Sequence, residues 1–152
     1  MVGWGRVKTL PPSLLFVDTG LVGAGAKLAE SVIKEAGIKL EEDKAVEGTG
    51  DGGTLKIVPY TVRQLSFGDI KRENVPGLYD GPFPWENMFG FNLAGMVGHD
   101  FFKPYAVTFD FQNMQIFCDA DAAVSDSSES IREQAGYNRR TSILRVENWS
   151  RV

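Results

Sequence analysis

The sequence predicts a mostly all-β fold carrying one short helix, and three observations lead there. The 152 residues include 17 glycines and 7 prolines, which supply many turns and suit strands better than a helix bundle. A short apolar run, Ser13 to Val17, lies between Pro11-Pro12 and Asp18-Thr19-Gly20, the pattern of a strand covered on both faces. Towards the other end, Tyr105, Val107, Phe109 and Phe111 alternate along one strand face. At 43% apolar and 24% charged residues, the composition is that of one ordinary domain with a real core.

Charge and composition narrow the function. Lys plus Arg total 16 and Asp plus Glu total 20, a net charge of −4, which is the wrong sign for a nucleic-acid partner. No apolar run reaches the roughly 18 residues that cross a bilayer, so no membrane segment is expected. No stretch reads as a signal peptide, and an exported or periplasmic location would require one removed before this chain. The single cysteine, Cys118, excludes an intrachain disulfide. With one histidine beside it, a zinc site is not expected, nor is any cofactor.

In chain order, Val7 to Leu10 is expected to form one arm of a hairpin, stopped by Pro11-Pro12. After the Ser13–Val17 strand, a helical pattern places Leu28, Val32, Ile33 and Ala36 on one face, with Gly37 as its stop. Residues 45–65 read as two strands around Gly48-Thr49-Gly50-Asp51-Gly52-Gly53, a glycine-rich hairpin tip. No Lys-Ser or Lys-Thr follows those glycines, so they are not a phosphate cradle. Phe67 to Ile70 turns into a short strand reaching Val75. Residues 76–92 are expected to be a folded loop held by Tyr79, Phe83, Trp85 and Phe89, whose rings either line a pocket or anchor the loop. Leu93 to Phe102 is apolar and broken by glycine, with Asp100 capping a turn at Phe101-Phe102 and His99 at the surface. A hairpin turned at Gln112-Asn113 closes the core, Asp110 facing solvent and Cys118 buried. We place one domain over 1–118. Residues 119–152 form a tail, partly disordered or adding a helix (Ile131–Gly136) or a strand (Ser142–Val146).

Asp18-Thr19-Gly20 carries the chemistry. Alone it is as well explained by a turn in which Asp accepts backbone N–H groups. Here it follows an apolar strand. Some eighty residues on comes Gly95-Met96-Val97-Gly98 with His99-Asp100-Phe101-Phe102, and a glycine-tipped hairpin lies between. In this order the sequence resembles the retropepsin-like aspartic proteases, particularly the bacterial single-domain members, over about Leu14 to Phe117. The resemblance implies an acid-protease β-barrel lobe with one short helix after the Asp-Thr-Gly loop and a β-hairpin flap. It implies an aspartic endopeptidase acting on peptide or protein substrates, with Asp18, Thr19 and Gly20 as catalytic residues. Gly48, Thr49, Gly50, Asp51 and Gly52 would be the flap that holds substrate. Thr19 would bond across the two-fold axis, Gly20 would bring its N–H to the carboxylate, and Gly95 to Gly98 would pack beside the loop.

Hydrolysis without metal or covalent intermediate needs a water held between a basic and an acidic carboxyl group. One chain offers one such Asp, so the pair requires a homodimer with the axis between two Asp18 side chains. The sequence departs from the family at Leu21, where a small or hydroxyl residue is usual. The flap carries Glu47 and Asp51 without an aromatic residue, which favours basic peptides. Leu21 also fits an alternative, a catalytically silent module of the same fold that dimerises or binds peptides. A further alternative is one lobe of a longer two-lobe protein.

Overall fold

A computed structural model describes residues 1–50, 53–82 and 92–119, together with the backbone of 141–145. Strand β1 (Val2–Val7) runs antiparallel to β2 (Ser13–Val17), in register from Val2↔Phe16 to Gly5↔Ser13. The hairpin arm is thus Val2–Val7, not Val7–Leu10; Lys8 takes a positive φ of 52° and starts the turn. β3 (Ala26–Leu28) precedes helix α1 (Glu30–Glu35), so Leu28 belongs to a strand and the helix is shorter than expected. α1 ends at Gly37 as expected. There φ is +59°, with Gly37 N–H bonded to Lys34 O and Ile38 N–H to Ile33 O, a Schellman closure.

β4 (Val46–Gly50) and the long β5 (Gly53–Phe67) form the glycine-tipped hairpin, and β6 (Ile70–Tyr79) returns along β5. β6 runs four residues past Val75, straight through Pro76. The Pro76 carbonyl accepts from Gly25 N–H. Its nitrogen is turned the same way, so no bond to β5 is lost. β7 (Leu93–Val97), the one-turn α2 (His99–Phe102), β8 (Ala106–Asp110) and β9 (Gln115–Asp119) follow. β10 (Thr141–Arg145) pairs antiparallel with β9, close to the strand expected at Ser142–Val146. Asp51, Gly52, Phe83, Trp85, Phe89 and Ile131–Gly136 lie outside the described residues.

The fold is mostly β, as expected. Six strands in the order β1-β2-β7-β3-β6-β5 close a barrel, because β5 pairs back onto β1 through Gly5↔Phe67 and Val7↔Leu65. β8 and β9 form a smaller sheet with β10. The barrel is filled by Leu15, Val17, Tyr60, Val62, Leu65, Phe67, Val75, Val97 and Phe101, all buried. A second cluster of Val2, Ala29, Leu93 and Met96, with Leu14, Phe16, Leu21 and Val32 packed against it, covers the other face of β2. That double cover explains the unbroken apolar run at 14–17. The hairpin β4–β5 is paired from Val46↔Ile57 to Gly50↔Gly53 and projects past the end of β6, whose last pair is Val58↔Tyr79.

Candidate functional site

β2 lies between β1 and β7, antiparallel to the first and parallel to the second, and delivers Asp18 to the end of the barrel. Asp18 N–H extends the β7 ladder by one bond, to Val97 O at 3.0 Å. Beyond it the chain turns sharply, with Leu21 N–H on Asp18 O (3.3 Å) and Val22 N–H on Gly20 O (3.0 Å). Gly20 N–H donates to Asp18 Oδ1 at 2.9 Å, which fixes the carboxylate's orientation. Asp18 is half-buried, while Thr19 and Gly20 are exposed. This is the Asx-type geometry that Asp-Thr-Gly favours in any context; its surroundings are what set it apart.

A second loop, at the end of β7, fastens the first. His99 N–H donates to Leu21 O (2.9 Å), Gly98 N–H to Gly25 O (3.0 Å) and Asp100 N–H to Ala24 O (3.2 Å). Gly25 N–H in turn reaches Pro76 O at 2.7 Å, tying the loop to β6 as well. Glycine is required at both ends of Gly95–Gly98, at Gly95 for the approach of β7 to β3 and at Gly98 for the approach to the Asp18 loop. A Cβ at Gly95, where φ is +148°, would stand 2.4 Å from Lys27 O, and one at Gly98 would stand 2.5 Å from Ala24 O. Gly98 thus packs beside the Asp18 loop as expected, and Gly95 lets strand β7 approach β3. Leu21 packs its side chain over Gly98 and into the second apolar cluster.

Asp100 does not cap α2: the N-cap is Gly98 and makes no side-chain bond. The Asp100 carboxylate instead faces its neighbour, Oδ1 lying 3.4 Å from Nδ1 of the exposed His99. Arg72 supplies the bond at the other end of α2, its guanidinium donating to Phe101 O at 2.6 Å. Asp110 is half-buried and accepts from both Asn113 N–H (2.9 Å) and Asn113 Nδ2 (2.7 Å), which hold its carboxyl below the usual carboxylate range and shape the β8–β9 turn. Cys118 is buried, and burial pushes its thiol up to about 11.

Beside the Asp18 loop opens a cavity of about 260 Å³, lined by Thr19, His99, Phe102, Lys103, Tyr105, Val107 and Phe109. The lining is mostly apolar and includes the exposed His99 and Lys103. Of the residues expected to form a flap, Gly48, Thr49 and Gly50 are described and lie on the projecting hairpin. The ion pair Lys56–Glu42 (2.5 Å) ties β5 to the turn before β4, and Lys44–Glu41 (2.6 Å) lies within that turn. Among the described residues no group of three or more His, Cys, Asp or Glu is placed to hold a metal ion. No described helix is long and apolar enough to cross a membrane.

Two supports of this end of the barrel left no mark in the sequence. Tyr60 OH accepts from Leu28 N–H (2.8 Å) and donates to Ala26 O (3.3 Å), standing in where β3 and β6 share a single pair. Lys27 and Asp80 form an ion pair with 2.8 Å to each carboxylate oxygen, both side chains largely buried. The partners are 32 and 53 residues apart, beyond any local pattern.

The family model described as aspartyl protease matches residues 7–82, a span that includes Asp18-Thr19-Gly20, α1 and the hairpin β4–β5. No curated protein and no solved structure matches the chain.

Proposed function

This chain belongs to the aspartyl protease family, and from that premise we propose that it is an endopeptidase whose active site is completed by a second copy. The two Asp18 carboxyl groups face each other across the two-fold axis and share one proton, because two carboxylates in close contact do not both ionise. The charged one takes a proton from the water between them as the water oxygen attacks the peptide carbonyl carbon. The neutral one gives its proton to the carbonyl oxygen, producing a gem-diol. When the C–N bond breaks, the proton returns through the carboxyl pair to the leaving nitrogen, and one acid and one amine are released. No covalent enzyme intermediate forms.

One observation carries this reading. Asp18 emerges from a buried strand with its carboxylate oriented by Gly20 N–H, on a loop bonded at three points to the 98–100 segment. A carboxylate meant to act as general base needs that kind of fixed, water-facing placement. Leu21 does not weigh against it, since its side chain is spent on apolar packing against Gly98. Thr19, exposed beside the carboxylate, meets its counterpart at the axis in this reading. The projecting hairpin is the flap: main-chain groups at Gly48, Thr49, Gly50, Asp51 and Gly52 bond an extended peptide as an added strand. In this reading residues 1–118 are the catalytic domain and 119–152 an appendage to it.

The test is cleavage of a peptide library from acid to neutral pH, alongside Asp18→Asn. Cleavage that disappears in the variant supports the reading. A well-folded wild type that cleaves nothing at any pH replaces it with a binding module of the same fold.

A further inference from the structure

We propose that the Lys27–Asp80 ion pair is a substrate subsite that takes a carboxamide side chain, asparagine or glutamine, two residues from the scissile bond. This rests on the endopeptidase reading above and adds a substrate preference to it. Lys27 Nζ lies 2.8 Å from each oxygen of Asp80, and the two side chains keep 19% and 18% of their surface exposed. That remaining surface is what a substrate can reach.

Strand register puts the pair on the face that carries Asp18. Lys27 of β3 stands opposite Met96 of β7, and Met96 stands opposite Phe16 of β2. Facing residues project to the same side of a sheet, and Phe16 and Met96 do share the second apolar cluster. Asp18 follows Phe16 by two residues, so strand alternation sets it on that side too. The order β2-β7-β3-β6-β5-β4 then places the pair between the strand that delivers Asp18 and the glycine-tipped hairpin. Asp80 directly follows Tyr79, the last residue of β6 to pair with β5 before the hairpin projects. A peptide that lies on the hairpin and offers a bond to Asp18 therefore crosses Lys27 and Asp80. β3 is two strands from β2, on the order of 10 Å. An extended chain advances roughly 3.4 Å per residue, so a side chain two residues from the scissile bond covers that distance. With the two-fold axis between the Asp18 side chains, one such pair lies on each side of the bond.

The chemistry of the pair selects a neutral polar group. An ammonium group has three N–H donors, and among the described residues Asp80 takes two of them. An ionised carboxylate has about four acceptor sites, so Asp80 keeps lone pairs to spare. A donor and an acceptor are thus left side by side. A carboxamide matches both, its C=O accepting from Lys27 and its NH2 donating to Asp80. A substrate carboxylate would bond Lys27 but face Asp80, and a substrate ammonium would bond Asp80 but face Lys27. The next charges give neither sign an advantage, since Glu30 is paired with Lys34 at 2.5 Å and accepts from Tyr79 OH at 3.3 Å. An aliphatic side chain would cover the pair without bonding it and would strip its remaining water.

The experiment is a positional scan of peptide cleavage by the full chain, comparing wild type with Lys27→Met/Asp80→Leu. Replacing a buried ion pair by apolar residues of similar size is often neutral or stabilising, so the double variant should fold, and its melting temperature checks this. At the second residue on either side of the cleaved bond, wild type should prefer Gln or Asn over Leu, Glu and Lys by roughly 10- to 100-fold in kcat/KM. The double variant should lose that preference and favour Leu. A wild type that accepts Leu as readily as Gln or Asn, the result for a pair that only braces β3, overturns the proposal whether or not the variant folds. A folded double variant that keeps the amide preference overturns it too. The same library is then bound to the Asp18→Asn chain, where Gln and Asn peptides should be enriched, and the enrichment should vanish when Lys27→Met/Asp80→Leu is added. Cleavage that needs Asp18 but shows no amide preference removes the subsite and leaves the endopeptidase standing. Amide-selective binding with no cleavage by wild type leaves the subsite and removes the endopeptidase. Absence of both overturns both.

Discussion

The Leu21 side chain lies so close over Gly98 that a methyl group at position 98 would come within 2.8 Å of its Cγ and Cδ2. The same methyl would stand 2.5 Å from Ala24 O, on the loop that carries Asp18. Gly98 has a φ of −101°, which any residue can adopt, so the demand for glycine here is purely one of space. Gly98→Ala should cost about 1–3 kcal/mol through overpacking. By shifting the Asp18 loop it should also lower kcat/KM roughly 10- to 100-fold. Urea unfolding and peptide cleavage on the same variant check both. Full activity would mean that the two loops move independently.

Tyr60 holds β3 from across the barrel. Tyr60→Phe keeps the ring but leaves the buried Leu28 N–H without its acceptor, at a cost of about 1–3 kcal/mol. Gly77→Ala presses on the same ring, since a Cβ there would stand 2.1 Å from Tyr60 Cε2. The backbone at Gly77 is paired in β6, so neither partner yields easily, and the loss should be at least as large. Chemical denaturation of the two variants decides, and a Tyr60→Phe as stable as wild type would contradict the bracing role.

Stability should fall on the alkaline side, beginning near pH 9. Burial raises the Cys118 thiol from its ordinary 9.0 to about 11, and burial raises the Tyr60 phenol as well. For both groups the unfolded chain loses its proton first. Above the unfolded value it therefore binds fewer protons than the folded chain, and stability drops as pH rises. The Cys118 contribution is complete below about pH 9 and is lost as pH passes about 11. It amounts to roughly 3 kcal/mol. Cys118→Ala should flatten the stability curve between those limits while lowering its plateau. An unchanged alkaline slope in that variant would assign the effect elsewhere.

In the proposed endopeptidase, charge on the glycine-tipped hairpin should set a substrate preference. Glu47 is exposed on β4, and with Asp51 it should favour Lys or Arg next to the scissile bond. An exposed pair of this kind contributes about 0.2–1 kcal/mol, so Glu47→Lys should reduce that preference by a few-fold, and added salt should reduce it in the wild type too. Profiling of cleavage products in low and high salt measures it. A preference indifferent to both changes would place specificity in other residues.

Much of the site was legible because its signals are local. Leu14–Val17 is apolar throughout since two separate clusters cover its faces, and it points straight at Asp18. The helix stop at Gly37 and the turn at 112–113 announced themselves by residue type. β1 was misplaced because its inward positions include Gly3 and Gly5, which leave no apolar alternation to see. β6 was cut short at Pro76 because a proline inside a sheet is tolerated only when its nitrogen faces away from a paired neighbour. That depends on Gly25, far off in the chain. Leu21 looked like a defect in the catalytic motif; its packing on Gly98 is visible only once the two loops are side by side.

The most direct test of the shared Asp18 carboxylates is subunit mixing. Wild type and Asp18→Asn chains are combined at fixed total concentration, allowed to exchange, and assayed on one good peptide. If each active site needs an Asp18 from both copies, activity falls with the square of the wild-type fraction, to about a quarter at equal parts. Activity proportional to the wild-type fraction, about one half at equal parts, would show that each chain works alone and would contradict the account.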